Sequence, residues 1–379
     1  MENIFNYKRN DLVRIAKREN NTRRPYLLVD PMQGKHVPIS PTKSLSLFKS
    51  LADKLYSTYP GEKLLIIGFA ETATAIGAAI ACYSPVNSYY IQTTREIIPN
   101  ANYLFFSETH SHATEQKLVK NDLEMMIKNT DRIVFAEDEV TTGNTILSII
   151  NLIKKEYSTL QLNFGIVSIL NGMSESTFRD FFNQRIQCTS ILRLINEDYA
   201  DIISNYNYDE SLCRKSSYSE NSITTEAIND YANTRLGVET HPYLSKCQAL
   251  FNIMVKHFEN NSLENKKLLV LGTEEFMFPA MYCGYNFEKN CNCKSVHFHA
   301  TTRSPILPSR DKDYPLFSRY ELESVYDEER TTFIYNLTKY DNVIIIHDST
   351  SNTNKGMCSL IAALNENNCT EISIFKWSD

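Results

Sequence analysis

Apolar residues follow two rhythms along the chain. Short runs at Leu64–Phe69, Ser88–Gln92, Arg132–Ala136, Asn163–Leu170, Leu268–Gly272, Ser295–His299 and Asn342–His347 predict strands buried on both faces. Between most of them, apolar residues three and four apart predict amphipathic helices at Leu45–Tyr56, Thr145–Glu156, Glu175–Asn183 and Met357–Asn365. Strands alternating with helices imply an α/β fold whose parallel sheet is covered on both faces. Such sheets take ligands beyond the C-terminal ends of their strands. The longest apolar stretch, Leu64–Cys82, is broken by Gly68 and Glu71, so it reads as a strand then a helix and not as a membrane span.

The patterning lapses from about Asn205 to Thr225, where NYNYDESLCRKSSYSENSITT is polar and rich in Ser, Tyr and Asn. With 379 residues to divide, this places a boundary between a first domain, 1–215, and a second, 216–379. The halves then echo each other. LLIIGFAE, QTTRE and IVFAED in the first answer LLVLGTEE, ATTRS and VIIIHD in the second. Gly68 to Arg95 spans 27 positions and Gly272 to Arg303 spans 31; Arg95 to Asp138 spans 43 and Arg303 to Asp348 spans 45. Both halves are expected to share one α/β topology, the second diverged in its site.

Net charge is −6, and no basic cluster exceeds Arg23-Arg24, which disfavours a nucleic-acid partner. Nine scattered cysteines, the nearest being Cys291 and Cys293, form no CxxC pair and predict reduced thiols and no zinc site. Met1–Asp11 has no apolar core, so no signal peptide is expected there and the protein is expected to be cytoplasmic.

The sharpest signal is residues 133–145, IVFAEDEVTTGNT. A buried strand ends in two adjacent carboxylates, Glu137 and Asp138, followed by the loop Thr141-Thr142-Gly143-Asn144-Thr145 opening a helix. The loop suits a phosphate: Gly143 admits close backbone approach, threonine hydroxyls donate, and a helix N-terminus supplies free N–H groups. Carboxylates do not suit a phosphate, but two acceptor-only groups side by side can hold a vicinal diol. Phosphate on one side and diol on the other describe a ribose 5-phosphate.

This run resembles the motif by which type I phosphoribosyltransferases bind phosphoribosyl pyrophosphate (PRPP). The departures are Glu139, where the family usually has an apolar residue, and Asn144, often Gly. The resemblance implies further roles. Phe69, Ala70, Glu71, Thr72 and Ala73, after the first strand, occupy the place of the pyrophosphate loop. Thr93-Thr94-Arg95 ends the next strand, where the family often carries a basic residue on the pyrophosphate. The stretch Phe106–Lys117, with Glu108, His110 and His112, occupies the place of a mobile catalytic loop; a solvated polar loop is the plainer alternative. Leu27–His36 looks like the acceptor-binding hood of orotate-type enzymes, offering Lys35 and His36, and Asn171 stands at another acceptor position.

The second half carries Thr302-Arg303-Ser304-Pro305, the signature for which the TRSP domain is named, within ATTRSPILP. Together with GFAETATAIG, SETHSHATEQ and RRPYLLVDPMQGKHVPIS, it makes the chain resemble the two-domain phosphoribosyltransferase–TRSP proteins, associated in bacteria with tellurium-resistance and stress gene clusters. Here the acidic pair has become His347-Asp348, and Gly356 lies later than the equivalence requires, so PRPP is not expected in this half. Glu274, Glu275, Arg303 and Asp348 still fall at strand ends, with Arg235 a candidate to join them. They form a second-site hypothesis, acting on the product of the first domain, against a plain scaffold or dimerisation role.

The expected activity is Mg2+-dependent transfer of ribose 5-phosphate from PRPP to a nitrogenous, base-like acceptor with release of pyrophosphate. Glu137, Asp138, Arg95, His110 and His112 would be its catalytic side chains, and Mg2+ would be held mainly through PRPP with Asp138 a candidate ligand. The rival is a PRPP- or nucleotide-binding regulator without turnover. The partners are small molecules with no membrane, and dimers are frequent among relatives.

Overall fold

The computed structural model describes residues 6–22, 24–106, 116–194, 199–219, 223–258 and 263–378. The chain forms two compact units: residues 1–7, 45–197 and 232–245 in the first, and 8–44, 198–231 and 246–379 in the second. One cut between 215 and 216 does not reproduce them. Ala16 and Val29, from the antiparallel pair Arg14–Lys17 and Tyr26–Val29, bury their side chains with Ile306, Leu316, Phe333 and Tyr335 of the second unit. Conversely, Val238–Glu239 is an antiparallel edge strand on Tyr89–Tyr90 of the first. In each case an arm preceding a helix is placed by the apolar and hydrogen-bonding edge it completes.

The first unit is built on a six-stranded sheet in the order Val238–Glu239, Tyr89–Gln92, Leu64–Gly68, Arg132–Val140, Phe164–Asn171, Gln187–Arg193. All but the first strand are parallel. Every residue of Leu64–Gly68 and Phe164–Asn171 is buried, which explains their unbroken apolar sequence. The helix Asn144–Glu156 turns Ile146, Ile149, Ile150 and Ile153 into the core, at the spacing of one helical face, and sets Lys154 and Lys155 at its negative end. Between the second and third parallel strands of sequence, the chain makes an antiparallel pair, Tyr103–Phe106 with Gln116–Val119.

The second unit repeats this plan. Its parallel sheet runs Glu226–Ile228, Ile372–Trp377, Asn342–His347, Lys267–Gly272, Ser295–Ala300. The strands Lys267–Gly272, Ser295–Ala300, Asn342–His347 and Ile372–Trp377 lie in the same spatial order as Leu64–Gly68, Tyr89–Gln92, Arg132–Val140 and Phe164–Asn171. Here too an antiparallel pair, Arg319–Glu323 with Thr331–Tyr335, interrupts the chain between the second and third. The expected common topology is present. All seven predicted strands and all four predicted helices form, Asn342–His347 and Glu175–Asn183 with the predicted ends and the others with shifted ones; Arg132–Val140 runs past Ala136 because Phe164–Asn171 continues beside it in register to Val140–Asn171. Among the described residues, no helix is long and apolar enough to cross a membrane.

Candidate functional site at the strand ends of the first unit

Three loops meet the C-terminal edge of the first sheet, and the sequence fixes each locally. After Leu64–Gly68, the Phe69 ring enters the core between Phe106 and Phe135, so what it offers a ligand is backbone. Thr93 Oγ1 accepts from the Ala70 N–H (2.7 Å) and donates to Gln116 Oε1 (2.6 Å). Gln116 Nε2 in turn donates to the Ala70 carbonyl (2.9 Å). This closed triangle of bonds holds the loop at Glu71 to the loop at Thr93. Glu71 itself is buried, and the Ala70–Glu71 peptide is cis. Gly68 is required by close packing: a Cβ would lie 2.9 Å from both the Ala73 carbonyl and the Tyr90 hydroxyl.

After Tyr89–Gln92, Thr94 and Lys117 exchange backbone hydrogen bonds, and Lys117 Nζ donates to the Arg95 carbonyl (3.1 Å). Two cations thus sit at one strand end. Gln116 and Lys117 had no assigned role in the sequence; their function appears only once Thr94 is seen to pair with Lys117.

The third loop follows Arg132–Val140. Glu137 and Asp138 lie within this strand and are half-buried, while Gly143 is left-handed, with φ of +74°. A Cβ there would lie 2.6 Å from the Phe181 ring, so only glycine fits. The helix starts at Asn144 with Gly143, which has no side chain to cap it, at the N-cap; the Asn144 N–H donates to Thr142 Oγ1 (3.4 Å). Two carboxylates and an anion-seeking helix terminus therefore stand a few residues apart on one chain segment. At the next strand end Asn171 is fully buried; Oδ1 accepts from the Met173 N–H (3.0 Å), and Nδ2 has no partner among the described residues.

Not every sequence candidate falls here. His110 and His112, with Glu108, lie outside the described residues. Lys35 and His36 are buried in the second unit, where a Cβ on the neighbouring Gly34 would strike Phe298. Burial and the nearby charge of Lys35 hold His36 neutral, well below its ordinary pKa. Arg235, grouped from the sequence with the second half, belongs to the first unit.

In the second unit, Glu274, Glu275, Arg303 and Asp348 do gather at strand ends. Arg303 Nε lies 2.8 Å from Glu274, and its terminal nitrogen 3.3 Å from Glu275. Arg330 also holds Glu274 (3.0 Å), and Ser324 Oγ donates to it at 2.5 Å. Asp348 accepts from the hydroxyls of Tyr231 and Tyr326. Ser324, Tyr326, Arg330 and Tyr231 lie in segments without any motif, and sequence reasoning passed over them.

Comparison with known proteins places both halves. Residues 12–194 match the phosphoribosyl transferase family, and residues 232–364 match the TRSP domain found C-terminal to it; together they take in more than four-fifths of the chain. No curated protein matches the chain. Among solved structures, it is similar to adenine phosphoribosyltransferase of Leishmania tarentolae at 17% identity, covering 50% of this chain and 90% of that one with a TM-score of 0.35. The Rhodothermus marinus adenine enzyme is similar at 14% identity, covering 49% and 96%, with a TM-score of 0.33. Orotate phosphoribosyltransferase of Mycobacterium tuberculosis is similar at 13% identity, covering 48% and 89%, with a TM-score of 0.28. By its two successive domains, the chain belongs to the phosphoribosyltransferase family that carries a C-terminal TRSP domain.

Proposed function

We propose that the first unit transfers ribose 5-phosphate from PRPP to a nitrogenous, base-like acceptor and releases pyrophosphate. One observation carries this reading: Glu137 and Asp138 lie near the end of the central strand Arg132–Val140, and a short loop with a left-handed Gly143 then opens the helix at Asn144. The 5-phosphate would lie on the N–H groups and hydroxyls of Thr141–Thr145, and the ribose hydroxyls on Glu137 and Asp138. Pyrophosphate would lie against Glu71–Thr74 and Arg95, whose guanidinium can take two oxygens at once.

Among the described residues, no group of three His, Cys, Asp or Glu side chains is placed to hold a metal ion. Mg2+ would be carried mainly by the oxygens of PRPP itself, with Asp138 the protein ligand at hand; when bound, the ion would offset charge growing on the pyrophosphate. The protein's own part is positional. The acids hold the ring while the C1–O bond breaks, and Arg95 stabilises the departing charge. The unmatched Nδ2 of Asn171 is suited to an acceptor carbonyl or ring nitrogen.

The test is pyrophosphate release from PRPP with Mg2+ across a panel of purine and pyrimidine bases. Release that is lost in Asp138→Asn supports the reading. PRPP binding without release under any acceptor would make the chain a PRPP-binding regulator.

A further inference from the structure

We propose that Cys291 and Cys293 form a dithiol that is oxidised to an intramolecular disulfide by exchange with small-molecule disulfides. The pair shares no residue with the PRPP reading. It lies in the connection Cys291–Lys294, between helix Phe278–Asn290 and strand Ser295–Ala300 of the second unit. That connection meets the sheet where Ser295–Ala300 begins, whereas Glu274 and Arg303 follow the C-terminal ends of their strands.

The turn is fixed by its backbone. The Cys293 N–H donates to the Cys291 carbonyl at 2.7 Å, a bond between residues two apart that closes a γ-turn. Asn292 has no positive φ, so the turn is the common inverse form. Three further bonds pin it from outside. The Cys291 N–H donates to the Phe287 carbonyl (3.1 Å), the Asn265 N–H to the Asn292 carbonyl (2.8 Å) and the Lys294 N–H to the Lys266 carbonyl (2.8 Å). So tight a turn draws the two cysteine Cα atoms into the range of about 4.4–6.8 Å that a disulfide spans. Folding has then already met the entropy of closing the ring.

Access and chemistry agree with the geometry. Both thiols are free and partly exposed, while Cys247, Cys283, Cys358 and Cys369 are buried. Burial pushes both thiols above their ordinary range, Cys293 to about 11, with Cys291 beside it adding to the rise. A reduced form that gains nothing from a stabilised thiolate leaves the balance toward the disulfide. In the exchange, the Cys291 thiol gives its proton to solvent, attacks one sulfur of the small disulfide and expels one thiolate. The Cys293 thiol, deprotonated in turn, attacks the Cys291 sulfur of that mixed disulfide and expels the second. Two protein thiols thereby lose two electrons and two protons, and one small disulfide becomes two thiols.

The experiment equilibrates the full chain in mixtures of reduced and oxidised glutathione, in native buffer and again in urea. Remaining thiols are alkylated, and the peptide carrying residues 291–293 is weighed by mass spectrometry. The expected product is lighter by two hydrogens and unalkylated at both cysteines. Half-oxidation in native buffer should need about threefold less oxidised glutathione, or lower still, than in urea, because only the folded chain holds the turn. Cys293→Ser should instead keep a glutathione adduct on Cys291 at the oxidised end of the series. Alkylation of both cysteines throughout the native series overturns the proposal. So do separate glutathione adducts on the two, a disulfide from either to another cysteine, or a native chain that needs as much oxidised glutathione as the unfolded one.

Discussion

The two units carry the same turn at the same place, to the level of single hydrogen bonds. The Thr93 N–H donates to Gly68 and the Thr301 N–H to Gly272; Thr93 Oγ1 accepts from Ala70, and Thr301 Oγ1 from Glu274. Thr94 pairs with Lys117 as Thr302 pairs with Phe333, and each of these second threonines takes the N–H two residues on. The next residue is arginine in both. What differs is the residue two past the glycine, Ala70 in one and Glu274 in the other. Glu274 is 1% exposed and gives Arg303 a carboxylate at 2.8 Å, which commits that guanidinium to the protein itself.

The phosphate loop diverges in the same direction. Gly143 backs onto the side chains of Phe181 and Met173, whereas a Cβ on Gly356 would lie 2.2 Å from the Ser324 carbonyl. The start of helix Lys355–Glu366 is thus packed against its neighbouring backbone, and Ser349 Oγ donates to the Val325 carbonyl (2.6 Å). In the second unit the strand-end groups Glu274, Arg303 and Ser349 are held in internal contacts. Retention of a fold is not retention of a site.

The largest expected effect separates the acids. Asp138→Asn should reduce pyrophosphate release to background with the melting temperature nearly unchanged, while Asp348→Asn should leave release intact. Next come the equivalent arginines. Arg303→Ala should cost about 3 kcal/mol of stability, because it strips a partner from buried carboxylates; the figure sits at the low end for a buried pair because Arg330 still holds Glu274. Arg95→Ala should lower PRPP affinity about tenfold or more. Loss of binding in Arg303→Ala without loss of stability would invert the comparison.

Gly143→Ala should cost about 2 kcal/mol, from the left-handed backbone and the collision with Phe181, and should weaken ribose 5-phosphate binding. The smallest effect is one of pH. Burial pushes the His347 pKa down to about 4, and burial also lowers His36, His297 and His299, all in the second unit. Because the unfolded chain takes up these protons first, stability should be level above about pH 7 and fall as pH drops from about 6.5 toward 4. The slope approaches about 1.4 kcal/mol per pH unit for each such histidine. Denaturant melts at pH 7.5 and 5.5 would check it, and a rise in stability on acidification would refute it.

Much of the fold was legible because doubly buried strands must be apolar throughout, and the repeat was legible because turns with tight steric demands keep their residues. Gly68, Gly272 and the two Thr-Thr-Arg turns are of that kind. The boundary was not legible in the same way. Two residues of edge strand, Val238–Glu239, carry no periodicity, and nothing local tells Ala16 or Val29 which sheet they will cover. The motif at 133–145 was readable because the backbone and the chemistry constrain the same few positions. Arg330, Tyr326 and Lys117 were not, since they reach their partners through hairpins whose register only the folded chain reveals.

The most direct test is the stoichiometry of Mg2+–PRPP binding by calorimetry on the intact chain, Asp138→Asn and Asp348→Asn. One site per chain, abolished by Asp138→Asn and untouched by Asp348→Asn, is the predicted result. No binding, two sites per chain, or a single site lost with Asp348→Asn would contradict the account.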